Sequence, residues 1–364
     1  ESSYPLKGTV LLAEAPFAEA YPGTDGLEPG NLWVDSRLLA ALDVAGIDHR
    51  GTLAAERLAG VDMAEIVHGA DFMEENCVIM GNVNTNSPLL VDTVVTEAIR
   101  TYSGAGQGMI VAPFILGGAM GPVTTAASIA QALAEAMMCC AFSQLVKPGS
   151  PFILGNFLSS MSLKSGAPTF GMPEPVMSNL VIGQLARRLG VPLRCGGSLT
   201  ASKIADAQAA AESADSMFST MLGGSHFTLH AAGWLEGGLT TGYEKLLLDA
   251  DRLGAYQVLA CGLPMDDNAL GRTAYEDVEP AGHFLGSAHT MANYETAYYD
   301  ATLSNSESFE QWEDEGAKDS QRRAFERWNQ MLAEYQAPPL DEATDEALKA
   351  FIAKRKEELP DAWY

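Results

Sequence analysis

Apolar stretches long enough to cross a bilayer are not expected, because polar or charged residues interrupt even the most apolar run, around Ile129 to Val146, before the roughly eighteen residues such a span needs. Positive charge is scarce. Against 47 Asp and Glu stand 22 Lys and Arg, a formal charge of −25 over 364 residues. The resulting field repels phosphate backbones and anionic headgroups and attracts cations, so neither nucleic acid nor membrane is an expected partner. Cysteine is limited to Cys77, Cys139, Cys140, Cys195 and Cys261, an odd set in mostly apolar contexts. No Cys-x-x-Cys spacing occurs, so neither a disulfide framework nor a metal site is expected, and a reducing cytoplasm is. Glu1-Ser2-Ser3-Tyr4-Pro5 has neither the basic nor the apolar region of a signal peptide. Nucleotide loops are lacking too. Gly104-Ala105-Gly106-Gln107-Gly108 precedes a strand instead of following one, and Gly117-Gly118-Ala119-Met120-Gly121 lacks the Lys-Ser/Thr of a P-loop.

What is present is alternation. Compact β-branched runs at Val78 to Val83, Met109 to Pro113, Phe152 to Gly155, Leu193 to Cys195 and His226 to Leu229 are separated by alanine-rich helical stretches. Spacing of roughly thirty to forty residues predicts parallel strands with crossover helices, an α/β fold open to either a barrel or a doubly wound sheet. Thr52 to Gly69, the segment after Pro122 and Tyr243 to Leu259 read as helices. Thr9 to Leu12 reads as a short strand, followed by an irregular excursion over 13–50, and residues 262–290 as loops apolar enough to be packed. After Asn293 charged helices take over: Phe325, Trp328, Leu332 and Tyr335 keep helical spacing until Pro338-Pro339, and Asp341 caps a last helix with Leu348, Phe351 and Ile352 as its stripe. The expected organisation is a barrel domain over 1–292 and a helical C-terminal extension over 293–364.

Candidate site residues cluster at predicted strand ends. Gly81-Asn82-Val83-Asn84-Thr85-Asn86-Ser87-Pro88 leaves a strand with alternating amides, which in a barrel point into the mouth and suit a small zwitterion; turn-forming asparagines explain the run equally well. Asn156 repeats the chemistry after the third strand. Gly166 to Glu174 is a rigid loop bearing Phe170 and Glu174, also readable as a packed Ω-loop. Phe114, Phe157, Phe170, Trp234 and Tyr243 fall near strand ends, where aromatic faces attract a quaternary ammonium by about 2 kcal/mol once desolvated. His226 and His230 flank a strand on one face, while His283 and His289 lie in later loops; none has a sequence partner that assigns it a proton-transfer role.

From Gly60 to Ile352 the chain closely resembles the trimethylamine methyltransferase family. Seven blocks carry the resemblance in order: Gly81 to Pro88; Gly118 to Thr125 with Gln131 and Glu135; Gln144 to Gly149; Gly166 to Glu174; Asp206 to Glu212; Gly233 to Thr240; and Gly282 to Thr290. The resemblance implies a TIM-like (β/α)8 barrel, with the family's usual N-terminal region absent and 9–50 inserted. It also implies methyl transfer from a methylated amine to Co(I) of a corrinoid, a cobalamin carried by a cognate partner protein and not bound covalently here. Where the family carries pyrrolysine between an Asp and a Gln, this chain has Asp206-Ala207-Gln208, which resembles the branch acting on glycine betaine. Ala207 is therefore expected to open onto the cavity for the cationic head. Gln208, Glu212 and Glu236 are expected catalytic positions, carried over from the matched motifs. Asn82, Asn84, Asn156, Phe170, Glu174, Trp234 and His283 are expected to bind substrate: aromatics on the ammonium, amides and histidine on a carboxylate, glutamates setting a negative field. A homo-oligomer is expected. A competing reading is a non-catalytic methylamine sensor or scaffold on the same barrel, which the lack of a catalytic triad fits as well.

Overall fold

The computed structural model describes residues 54–358, with side chains from Gly60 onward, so the expected strand at Thr9 to Leu12 and the excursion over 13–50 lie outside the described residues. The chain enters through α1 (Ala54–His68) and α2 (Ala70–Glu75), then alternates: β1 (Met80–Val83), α3 (Thr93–Gly104), β2 (Gly108–Val111), β3 (Phe114–Gly117), α4 (Thr125–Val146), β4 (Phe152–Gly155), β5 (Phe157–Ser160), α5 (Pro173–Leu189), β6 (Leu193–Gly196), α6 (Ala207–Leu222) and β7 (Phe227–Leu229). A short antiparallel pair, β8 (Trp234–Leu235) and β9 (Thr240–Thr241), leads into α7 (Tyr243–Cys261). Helices start where the sequence supplies caps: Asp92 accepts from the Val95 amide at the head of α3, and Asp206 from Ala209 at the head of α6.

Strand order settles the choice between the two α/β architectures. The main sheet runs β1-β2-β4-β6-β7, every neighbouring pair parallel, and β3 and β5 continue β2 and β4 as a parallel pair of their own. A doubly wound sheet reverses its strand order at a switch point. Here each strand lies beside its predecessor without reversal, the TIM-like winding. Of the eight strands of a complete barrel, the described residues hold five in this sheet.

Period-two alternation fills both faces. Val83, Met109, Val111, Phe152, Leu154, Leu193 and Cys195 pack on helix residues such as Ile99, Ile129, Cys139 and Ile182. The opposite face presents Ile110, Ile153 and Phe227, with Met80 and Leu229 against them. At the β4–β5 junction the chains cross so closely that a Cβ on Gly155 would stand 2.4 Å from Ala112 Cβ. Only glycine fits there.

Contrary to the sequence expectation, one described helix, α4, is long and apolar enough to cross a membrane: it has 22 residues, and an 18-residue stretch of it has a mean hydropathy of 1.4. Its polar side chains are nonetheless engaged within the protein, with Gln131 donating to Met120 O and Gln144 to Ser150 O. A second difference concerns 262–290. The expectation of packing fails: residues 261–270 are all exposed, Leu263 by 87%, and the segment forms the short α8 (Arg272–Glu276), a 3-10 turn (Phe284–Gly286) and α9 (Ala288–Asn293). Beyond it come α10 (Phe309–Asp314), α11 (Ser320–Glu334) and α12 (Glu342–Glu358). The last two return to the barrel. Trp328 of α11 donates to Glu244 of α7, and Leu348, Phe351 and Ile352 of α12 pack with Met63 and Ala64 of α1.

Register between β6 and β7 is pinned by His226, whose Nδ1 accepts from the Leu193 amide at 3.1 Å. Burial first, and nearby Arg187 second, push its pKa down to about 4 from the usual 6.5. With the folded value depressed, its contribution is present above pH 6.5 and disappears as pH falls through 4, up to about 3 kcal/mol. Asp249, raised to about 6 chiefly by burial, acts in the opposite sense over an overlapping window, so the prediction is a difference. His226→Gln, which keeps an acceptor for Leu193, should lose less stability than wild type between pH 6.5 and 4 in urea titrations; parallel profiles would refute the assignment.

Candidate functional site

Three loops meet at the carboxyl ends of β5, β6 and β7, the end where barrel sites form. They are held from behind by charged side chains on helices. Glu212 of α6 accepts from Thr200 Oγ1 at 2.5 Å, the Ala201 amide at 2.7 Å and Gln208 Nε2 at 2.8 Å, fixing the loop after β6. Glu135 of α4 does the same for the loop after β1, gathering Thr85, Ser87, the Leu89 amide and Gln131. Burial would raise the Glu135 carboxyl, but these donors outweigh it and leave its pKa below the usual value. The loop after β7 hangs on Asp249 of α7, which accepts from the Gly233 amide at 2.8 Å and from Lys245; Lys245 also reaches Ser213 Oγ at 2.8 Å. Gly171, at φ 76, closes the loop after β5 against Glu212 so tightly that a Cβ would lie 2.3 Å from Glu212 Cβ.

Inside this frame the aromatic residues converge. Phe157 lies 5.0 Å from Phe114, 5.9 Å from Phe170 and 5.1 Å from His230 between ring centroids, and His230 meets Trp234 edge-on at 4.9 Å. His230 adopts φ 56, a left-handed backbone that a non-glycine residue holds only under constraint. Arg194, in register between Gly155 and Phe227, puts its guanidinium 5.0 Å from the Phe157 centroid. Its Nη1 donates to Asn156 O and its Nη2 to His230 Nδ1, each at 3.1 Å, while Nε is buried without a partner. Since arginine only donates, His230 Nδ1 accepts and the ring carries its proton on Nε2. Burial lowers the Arg194 pKa to about 10, which leaves it charged at neutral pH.

Of the sequence-selected residues, the structure brings Phe170 and Trp234 into this cluster. Asn82 stands on the same sheet face as Ile110, its Oδ1 buried and unpartnered. Asn156 is buried but points the other way, its amide donating to Ser178 and Asn179 of α5. Asn84, Gln208 and Glu236 are exposed, as is His283, which precedes a 3-10 turn packed on α9. Glu174 accepts from Ser160 at 3.0 Å and lines a cavity of about 410 Å³ with Thr125, Ser128, Met161 and Met172. A second cavity, also about 410 Å³, lies between Lys203, Ile204, Lys245, Gln321 and Phe325. Ala207, expected over the ligand hollow, is exposed in the first turn of α6 and lines neither cavity; the Asp206 cap turns it to the surface. Sequence reading missed Arg194, whose one signal was a charge inside an apolar strand, and the role of His230. Among the described residues no group of three or more His, Cys, Asp or Glu is placed to hold a metal ion.

A family model described as trimethylamine methyltransferase (MTTB) matches residues 50–360. Similar curated proteins include the glycine betaine methyltransferase of Desulfitobacterium hafniense (strain Y51), 35% identical over 82% of this chain and 62% of its own length. The trimethylamine methyltransferase MttB of D. hafniense (strain DSM 10664 / DCB-2) is 28% identical over 81% of this chain and 59% of its own, and MttB1 of Methanosarcina mazei 27% over 74% and 54%. The chain thus spans about three fifths of the length of the first two.

The Glu212 clamp is testable directly. Glu212→Ala strands a buried hydroxyl and a loop amide and should cost about 2–4 kcal/mol in urea unfolding, with faster proteolytic cutting over 198–206. A change under about 0.5 kcal/mol with unaltered cutting would show that the loop is held by something else.

Proposed function

Because this chain belongs to the trimethylamine methyltransferase family, we propose that it removes a methyl group from a small quaternary amine of the betaine type and delivers it to a corrinoid held by a separate protein. One observation carries the reading: an aromatic cluster of Phe114, Phe157, Phe170, His230 and Trp234 at the strand carboxyl ends of a strongly acidic chain. Similarity to a glycine betaine methyltransferase favours betaine over trimethylamine.

A quaternary nitrogen already carries its positive charge, so it leaves as a neutral tertiary amine, taking the electron pair of the broken carbon–nitrogen bond. No proton moves, and no general acid is required. The cluster has none poised for the purpose. Nor does it offer a methyl acceptor: Cys195 faces the helices, and burial pushes its thiol up to about 12. The corrinoid supplies the electron pair that forms the new bond to the methyl carbon. What remains for this chain is to hold the methyl in line and keep water away. Trp234, half-buried at the outer edge of the cluster, is the ring we assign to the ammonium, and exposed Glu236 beside it adds negative field. The other expected site residues are proposed in narrower roles. Asn82 faces the ligand side, Glu174 attracts cations toward the mouth, and Gln208 with Glu212 positions the loop after β6.

The experiment is incubation with glycine betaine, carnitine or choline and reduced cobalamin, reading methylcobalamin and the demethylated amine. Glycine betaine should give both products. Trp234→Ala should raise KM about 30-fold, the equivalent of about 2 kcal/mol of cation–π attraction, without lowering Tm. Binding with no methylcobalamin would support the sensor reading instead, and failure to bind any quaternary amine would overturn both.

A further inference from the structure

Arg194 is 1% exposed, yet no acidic side chain meets it. Burying a charge without a counterion is among the costlier things a fold does, and apolar side chains of similar volume commonly replace such groups without loss. The chain has 47 Asp and Glu, and none among the described residues bonds to it. Both partners are neutral, a backbone carbonyl and a histidine nitrogen that accepts. Neighbouring Cys195 is no anion either, its thiol held protonated by burial. Of the five N–H donors of a guanidinium, these partners take one on Nη1 and one on Nη2, and Nε is left with nothing. A structural arginine has its fork filled. This one is held in place and left open on one edge: its backbone lies level with the carboxyl end of β4 and the start of β7, and its guanidinium reaches Asn156 O just past β4, His230 just past β7 and the Phe157 ring of the aromatic cluster.

We propose that Arg194 is the receptor for the carboxylate of the substrate, which enters anion first and is bound through Nε and the adjoining N–H while its ammonium stays outward at Trp234. The inference rests on the methylamine reading of the site and adds to it which end of the molecule goes in. It reassigns the anion from amides and a histidine to an arginine: Asn156 is committed to α5, and His283 lies elsewhere. His230 accepts from Nη2, stacks on Phe157 and is the neighbour whose backbone is strained, so it is the side chain that gives way as the anion arrives. Buried Arg–carboxylate forks are strong and geometrically selective, which makes the arginine the element that separates betaines from choline-like amines.

Three probes divide the question by calorimetric or thermal-shift titration of the full chain. Glycine betaine has both ends, choline the ammonium alone, and 3,3-dimethylbutyrate the carboxylate with an uncharged carbon replacing nitrogen. Wild type should bind dimethylbutyrate and favour glycine betaine over choline at least tenfold. Arg194→Gln should lose about 10- to 100-fold in affinity for glycine betaine and dimethylbutyrate while choline binding is unchanged. Arg194→Lys, which keeps the charge without the fork, should fall between. The order of affinities in wild type decides the matter even if the glutamine variant fails to fold: choline equal to or tighter than glycine betaine overturns the proposal. So does a glutamine variant with the wild-type ratio. Dimethylbutyrate binding that depends on Arg194, in a protein that forms no methylcobalamin, would uphold the anion receptor and sink methyl transfer.

Discussion

The strand-end loops stay in place because charged side chains on the surrounding helices reach in and collect their donors. Glu135, Glu212 and the Asp249–Lys245 pair each sit on a helix, and each ties down a different loop. A loop whose amides and hydroxyls are satisfied by one buried carboxylate cannot drift without stranding several of them together. The aromatic cluster inherits its precision from this arrangement: Phe170 follows a loop seated against Glu212, and Trp234 follows the glycine whose amide Asp249 holds.

Most of the fold was legible in the chain. Parallel strands buried on both faces are written as short β-branched runs, and all five predicted runs overlap a strand of the main sheet. The site was harder. Gln208 and Glu212 were expected as catalytic positions, and nothing local reveals that the carboxylate collects Thr200, Ala201 and Gln208 itself. Asn156 has the same ambiguity, since its amide turns toward α5 by a choice made in tertiary packing. Arg194 was overlooked because a single charge in an apolar strand stands out only once the sheet shows which face it is on. The apolar residues of 262–290, such as Leu263, Met265, Phe284 and Leu285, misled in the other direction, their composition suggesting burial that the fold does not provide.

Charge distribution ties the surface to the interior. In a chain with an excess of 25 negative charges, the buried cation of Arg194 meets rings and neutral dipoles, and none of the described carboxylates bonds to it. In the proposed binding mode the long-range field draws a cation or zwitterion inward, and the local field of the guanidinium orients it. Attraction and alignment are thereby handled by different parts of the molecule.

The apolar stripe of α12 lies on α1, so Leu348 and Met63 share one cluster although they come from opposite ends of the described chain. During synthesis that seam stays open until α12 has left the ribosome, and α1 meanwhile presents an uncovered apolar face. Emergence of α12 is what seals it, and until then α1 is a surface on which neighbouring chains can associate.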